Sequence, residues 1–534
     1  MSAARRMDFS NPYPSARSAV LGRNMVATSQ PLAAQAGLSM LLKGGNAVDA
    51  AIAAAMVLVC VEPTGCGLGS DAFAIVWDGG KLHGLNASGR APAAWTHDRF
   101  AHLDHMPDMG WNSVTVPGAV SAWIALWERF GSLPLATIAE PAITYAEEGF
   151  PVSPIIGRAW ANGLKRLGGQ PGFAEAFTVD GRPPAPGEIF RLPGHAASLR
   201  AIVATKGEAF YRGELAERMV AHSTEHGGAL SLDDLATHTA DWVDTVSVPF
   251  AGHVVHEIPP NGQGIAALTA LGMLEELGIG DAPPDDAETV HLALEATKLA
   301  LADADRFVTD PEAMGFDYAA LLDPAYLKQR AGLIARDTAC EPAHGEPQRG
   351  GTVYLTAADS SGGMVSFIQS NFMGFGSGVV VPGTGISMQN RGWSFSLDPD
   401  HPNVVAPGKR PFHTIIPGFA MRQDGRPAAS FGVMGGPIQA QGHVQTVLRT
   451  LLYGQNPQAA ADAPRWRVDA GRKIAFEIGW DMAVVEKLRA RGHDITMEPT
   501  NSLFGFGGAQ TIIATEAGYV GGSDPRKDGG VVAF

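Results

Sequence analysis

The sequence predicts a mixed α/β (α+β) protein, and three observations carry that reading. Ala-rich helical patterns open the chain between Gln30 and Val61. Further apolar positions at helical spacing recur to about Arg306, with Pro/Gly-rich connections between them. From about Gln348 onward the pattern shifts to short β-branched runs between glycines. Of 534 residues 45% are hydrophobic and only 17% charged, which supplies a large core and argues against disorder.

Between Gln30 and Lys43 the residues Ala34, Leu38, Leu41 and Leu42 fall on one helical face, and Gly44-Gly45 end it. Asn46 is placed to cap a second helix reaching about Val61. Its dozen most apolar residues are too few to span a bilayer. Ala72–Trp77 reads as a strand before the turn Asp78-Gly79-Gly80. Helices are expected at Ala119–Phe130, Leu135–Glu148, Ala197–Val203 and His291–Arg306. The strand-like runs of the last third are TVYLTAA, MVSFIQS, GVVV, HTIIPGFAM, QTIIATE and GYVGG. A composition boundary falls near Gly350, where RGGT leads straight into a strand.

The net charge of −15 argues against nucleic acid as a partner. The N-terminal stretch has two arginines but no apolar segment after them, so a cytoplasmic location is expected. Cys60, Cys66 and Cys340 have no metal-ligand spacing and read as packing residues in a reducing compartment. Gly65-Cys66-Gly67-Leu68-Gly69 follows a helix and lacks the third spaced glycine of a dinucleotide loop. His222 and His226 stand at i and i+4, but no glutamate follows the first, and a solvated helix end is the better reading. No cofactor and no metal are expected. Lys409, Arg410, Asp524 and Arg526 read as loop and turn residues without a catalytic role.

Thr352–Ala358 and Met364–Ser370 flank Asp359-Ser360-Ser361-Gly362-Gly363, the composition of a hairpin connection. A turn centred on Ser361 puts Thr352 opposite Ser370, with Cβ atoms roughly 5 Å apart. Two hydroxyls then meet at one strand end, directly after Gly350-Gly351. On spacing alone a plain strand threonine after a turn is the better reading.

Seven segments in order change that balance: KGGNAVDAAIAAAMVLVCVEPTGCGLGSDAF (Lys43 to Phe73), SVTVPGAVSAW (Ser113 to Trp123), PPNGQG (Pro259 to Gly264), GTVYLTAAD, FGSGVVVPGTGISMQN (Phe375 to Asn390), PGKRP (Pro407 to Pro411) and MGGP (Met434 to Pro437). With them the sequence resembles the γ-glutamyltransferase family of N-terminal-nucleophile hydrolases along nearly its whole length. The resemblance implies a four-layer αββα sandwich and a precursor that cuts itself between Gly351 and Thr352. Residues 1–351 would form a large, mostly helical subunit and 352–534 a small, mostly sheet subunit, intertwined in one domain. A homodimer of such heterodimers is compatible with it. Thr352 matches the nucleophile, whose freed α-amine has an ordinary pKa near 8 and so can accept the hydroxyl proton. Ser370 matches the second active-site hydroxyl, and Gly435 and Gly436 match the backbone pair of the oxyanion hole.

Other matched positions depart from the family. Ser394 stands where an aspartate binds the substrate's amino group, and Ser88 where an arginine binds its carboxylate, with Arg90 displaced by two residues. His413-Thr414 replace a serine pair, and the stretch from Phe395 to Pro407 is too short for a lid loop. These departures resemble the lidless branch that includes oxamate amidohydrolases and cephalosporin-acylase-like proteins. Arg391, at a former amide position, offers a fork to a small carboxylate. The implied substrate pocket comprises Arg90, Arg391, Ser394, His413 and Thr414. The expected activity is hydrolysis of a small carboxylate-bearing amide, oxamate-like, through a threonyl acyl-enzyme. The alternatives are γ-glutamyl transfer or hydrolysis on glutathione-like compounds, or an unprocessed, non-catalytic binding protein.

Overall fold

In the computed structural model, residues 16–342, 351–500 and 505–534 are described. Gly350, half of the glycine pair before Thr352, lies outside them. The Asn46 side chain accepts from the N–H groups of Val48 and Asp49 while Asp49 returns a bond to the Asn46 N–H, closing a capping box on helix Ala47–Val61. All fifteen residues of that helix are buried. An all-round apolar helix of this kind needs cover on every side. It receives it from Pro31–Leu42, Leu135–Glu148, Ala119–Phe130 and the sheet beneath.

Two seven-stranded sheets form the centre. One runs, in spatial order, Gly530–Ala533, Met25–Thr28, Gly351–Ala358, Met364–Phe372, Asp71–Trp77, Leu82–Ala87 and Asp241–Val243. The other runs Val20–Gly22, Gly518–Ser523, Gly508–Thr515, Pro427–Met434, Gly418–Arg422, His253–Glu257 and Val246–Phe250. Both sheets combine strands from before Gly351 with strands from after it. Between the sheets lies an apolar layer including Phe73, Tyr354, Ile368, Phe419, Met434 and Ile512. The Ala-rich helices pack outside the first sheet, and Gly264–Glu276, Ala287–Phe307 and Ile438–Val447 outside the second. The result is the expected four-layer αββα sandwich. Among the described residues no helix is long and apolar enough to cross a membrane.

The helices at Ala119–Phe130 and Leu135–Glu148 fall where the spacing predicts them. The other two are longer than expected, at Pro193–Thr205 and Ala287–Phe307. HTIIPGFAM is a strand only from Gly418, because Pro417 interrupts it. His413 pairs separately, donating its N–H to Asn261 O and accepting from the Gln263 N–H. Strand Pro427–Met434 was not foreseen, since its PAASFGVM residues are small rather than β-branched. Of the histidine pair, His226 is exposed as expected, but His222 is buried with its ring edge-on to Trp111. The solvated-end reading therefore fails for His222, whose apolar neighbour Trp111 comes from another part of the chain.

Candidate active site

Antiparallel pairing sets the site. Val353 pairs with Gln369 and Tyr354 with Ile368, the register expected from a turn centred on Ser361. A bulge between Gly351 and Val353 falls at Thr352. The Thr352 Oγ1 lies 3.2 Å from the Ser370 Oγ, both residues fully buried. Ser370 Oγ also accepts the Phe372 N–H at 2.8 Å. Ser370 pairs in turn with Asp71 on the next strand, so Thr352, Ser370 and Asp71 form one polar row on the sheet face that meets the second sheet.

From the opposite layer, Gln439 Nε2 donates to Thr352 Oγ1 at 3.2 Å, and its Oε1 accepts the Ile416 N–H. Gly435 and Gly436 lie between strand Pro427–Met434 and helix Ile438–Val447, with φ of 132° and 73°. These are conformations that glycine tolerates without strain. Both are buried, and neither N–H donates a hydrogen bond among the described residues. Gln263 Nε2 holds the turn by donating to Thr414 O at 2.5 Å and Gly436 O at 3.1 Å.

Arg391 is fully buried. Its Nη1 donates to Thr414 Oγ1 at 2.9 Å, and its guanidinium carbon lies 4.0 Å from the centre of the Phe372 ring. Among the described residues its Nε and Nη2 have no hydrogen-bond partner, and the nearest carboxylate oxygen, Asp71 Oδ2, is 3.9 Å from Nε. Burial pulls the guanidinium down to about 9 against the opposing pull of Asp71, which leaves it a cation at neutral pH. Asp71 is pushed up to about 7 by burial, opposed by Arg391, the Gly89 N–H and Arg410. His413 is held well below its usual range by burial, with Arg391 and Arg410 adding to the effect, and is neutral. Its Nδ1 accepts the Ile415 N–H, so Nε2–H donates to Asp71 Oδ2 at 3.1 Å.

A cavity of about 190 Å³ opens beside this cluster, its inner wall formed by Phe372, Trp393, Ser394, Thr414, Gln263 and Pro437. The Ser394 Oγ is buried without a hydrogen-bond partner among the described residues. The structure thus brings together Thr352, Ser370, Gly435, Gly436, Arg391, Ser394, His413 and Thr414. Arg90 is engaged elsewhere: it pairs with Asp310 at 3.1 Å, donates to Gly408 O and keeps a side chain 36% exposed. The two-residue displacement from Ser88 turns it out of the polar row.

Sequence reasoning missed Asp71, Gln263 and Gln439. Asp71 had a signal, a charged residue opening the otherwise apolar run AFAIVW. The two glutamines had none, since their roles depend on pairings 151 and 87 residues away along the chain.

A four-layer αββα sandwich with a buried threonine at the head of a central strand defines the N-terminal-nucleophile hydrolase class. The gamma-glutamyltranspeptidase family model matches residues 33–534. The glutathione hydrolase-like YwrD proenzyme of Bacillus subtilis (strain 168) is 36% identical over 97% of this chain and 100% of its own length. The oxamate amidohydrolase proenzyme of Klebsiella pneumoniae subsp. pneumoniae is 37% identical over 96% and 98%. The crystal structure of cephalosporin acylase from Bacillus halodurans superposes with a TM-score of 0.95 at 47% identity, covering 99% of both chains. The chain belongs to the gamma-glutamyltranspeptidase family and is an enzyme of its hydrolase kind.

Proposed function

We propose that the chain cuts itself between Gly351 and Thr352 and that the freed threonine hydrolyses a small amide whose acyl part carries a carboxylate. In the cut, Thr352 Oγ1 attacks the Gly351 carbonyl and an ester replaces the peptide bond, freeing the α-amine; water then hydrolyses the ester, releasing the Gly351 carboxylate and the Thr352 hydroxyl. In turnover the amine accepts the hydroxyl proton as Oγ1 attacks the substrate carbonyl. The Gly435 and Gly436 N–H groups receive the oxyanion, the leaving amine departs with the proton, and water releases the acid. Ser370 and Gln439 hold Oγ1 through the bonds described above.

One observation carries the substrate class: Arg391 is a buried cation with two donors unpartnered among the described residues, 3.9 Å from Asp71 in the polar row that includes Thr352. Buried guanidinium N–H groups without partners are costly, and a carboxylate satisfies two of them at once. The γ-glutamyl alternative needs an anion for the substrate's amino group. Ser394 offers none, and at Asp71 an ammonium would meet the Arg391 guanidinium 3.9 Å away. A relative acting on oxamate supports the same reading. Buried Cys60 and Cys66, both free thiols, suit a reducing cytoplasm.

Denaturing electrophoresis of purified protein is expected to give two bands, residues 1–351 and 352–534, and Thr352→Ala a single band with no activity. Released amine is expected from oxamate or a glutaryl amide in preference to a γ-glutamyl anilide. An intact Gly351–Thr352 bond in active protein defeats the mechanism, and activity confined to the γ-glutamyl compound defeats the substrate class.

A further inference from the structure

The gap between Arg391 Nε and Asp71 Oδ2 is 3.9 Å, too long for a hydrogen bond. It is the right width for one bridging oxygen, because an atom at hydrogen-bond distance from both ends closes a triangle on that base. The oxygens of Asp71 are otherwise accounted for: Oδ1 accepts the Gly89 N–H at 3.1 Å and Oδ2 the His413 Nε2–H at 3.1 Å. On the strand beside it stands the neutral hydroxyl of Ser370. Arg391 and, at longer range, Arg410 are the cations acting on this carboxyl, His413 is neutral, and the Tyr211 phenol lies within its field.

A substrate carboxylate docked on the free edge of Arg391 therefore arrives next to a second carboxylate, with one guanidinium between them. Two carboxylates sharing one buried site do not both stay ionised; one takes a proton. Resting on the carboxylate-amide reading above, we infer that Asp71 is a specificity-determining residue that completes the substrate-carboxylate site as a neutral acid. One oxygen of the incoming carboxylate bridges Arg391 Nε–H and an Asp71 O–H, and binding to protein whose Asp71 is ionised takes up one proton from solvent. Asp71 is prepared for this, since burial already pushes it up to about 7 in the unliganded protein. The device favours monoanionic acyl donors whose carboxylate reaches the bridge. It disfavours a cationic amino group there, which would meet Arg391 and a protonated acid.

Pyruvate is the probe, because it keeps the carboxylate and adjacent carbonyl of oxamate, has no amide to hydrolyse, and does not itself titrate near neutrality. Its Kd for the mature enzyme is measured by calorimetry from pH 5.5 to 8.5 in buffers of different ionisation enthalpy. In the bound state the Asp71 pKa is raised above its free value, so binding is strongest at low pH and weakens as pH climbs through about 7. The Kd is expected to be flat below that point and to rise about tenfold per unit above it, with proton uptake approaching one per pyruvate near pH 8. Asp71→Asn is expected to lose the tenfold-per-unit slope and the uptake that set in near pH 7, leaving only the titration of the Thr352 α-amine, whose ordinary pKa is near 8. A flat wild-type Kd without uptake overturns the inference, as does an Asp71→Asn variant that keeps the wild-type slope. If that variant does not accumulate, the two-buffer heats of the wild-type enzyme decide. Failure of the underlying reading looks different: pyruvate then does not bind at any pH, or binds Arg391→Ala as well as wild type.

Discussion

Replacing Arg391 by Ala tests the substrate class at its source. The two unpartnered donors, Nε and Nη2, are placed for charge-assisted bonds to a carboxylate. Such bonds contribute about 1.5–3 kcal/mol each, so losing both costs about 3–6 kcal/mol of binding. At 1.36 kcal/mol per factor of ten, kcat/KM for a carboxylate-bearing amide is expected to fall about 10²- to 10⁴-fold, mainly through KM. The fold is expected to survive. The contact of the guanidinium with Phe372 at 4.0 Å contributes only about 0.5–2 kcal/mol. Asp71, left without its nearest cation, takes a proton rather than remaining a buried unpaired anion. Arg391→Lys, which keeps the charge but not the fork, is expected to recover part of the loss. Steady-state kinetics on oxamate, with the two-band pattern as the folding control, give the answer. A KM for the anionic donor unchanged in Arg391→Ala would refute the reasoning.

Two further perturbations follow from the geometry. Ser370→Ala removes one neutral partner of Thr352 Oγ1 and the acceptor of the Phe372 N–H; a loss of about 0.5–1.5 kcal/mol predicts about a two- to twelvefold drop in kcat with little change in KM, restored by Ser370→Thr. Equal kcat in Ser370→Ala would remove its role in holding the nucleophile. Asp524 is buried, and although burial opposes it, Arg465 at 2.6 Å, Arg526 at 3.0 Å and the Ala509 and Arg526 N–H groups hold its carboxyl far below the usual range. A carboxyl depressed on folding contributes stability that is present above its unfolded pKa of about 3.9 and is lost as pH falls below it. Asp524→Asn is expected to cost about 3–5 kcal/mol at pH 7 and to flatten the acid limb of a denaturation profile; identical profiles would refute this.

Local signals carried much of the fold. Asn46 ahead of an unbroken Ala/Val run marks a helix start and a buried helix together, because cap chemistry and all-round apolarity are both written in adjacent residues. The Asp359–Gly363 turn fixed the hairpin register, and with it the Thr352–Ser370 contact, because antiparallel pairing propagates from the turn. Strand Pro427–Met434 stayed hidden because Gly432 and its small neighbours fit a crowded interior rather than a propensity; a Cβ on Gly432 would stand 2.3 Å from the Tyr354 ring. The site was legible where it lies along the hairpin and at the Gly435-Gly436 turn. It was not where side chains converge from distant segments. Arg90, near the expected position in sequence, is drawn off by Asp310, whereas the function of Asp71 exists only once His413 and Arg391 are brought to it.

The same topology bears on how a chain could be cut at its catalytic residue and remain whole. Strand Gly351–Ala358 is flanked by Met25–Thr28 from the first segment and Met364–Phe372 from the second, and the C-terminal strand Gly530–Ala533 pairs with Met25–Thr28 on its other edge. Each sheet therefore has strands from both sides of the Gly351–Thr352 bond, and separating the segments would break ladders in both and open the apolar layer between them. A cut at the head of the strand breaks none of the ladder from Val353 to Ala358. It leaves a carboxylate on Gly351 and turns the Thr352 nitrogen into a free amine at the end of the row formed with Ser370 and Asp71. On this architecture the interleaving, rather than the covalent link, keeps Arg391 from the second segment in register with Asp71 from the first.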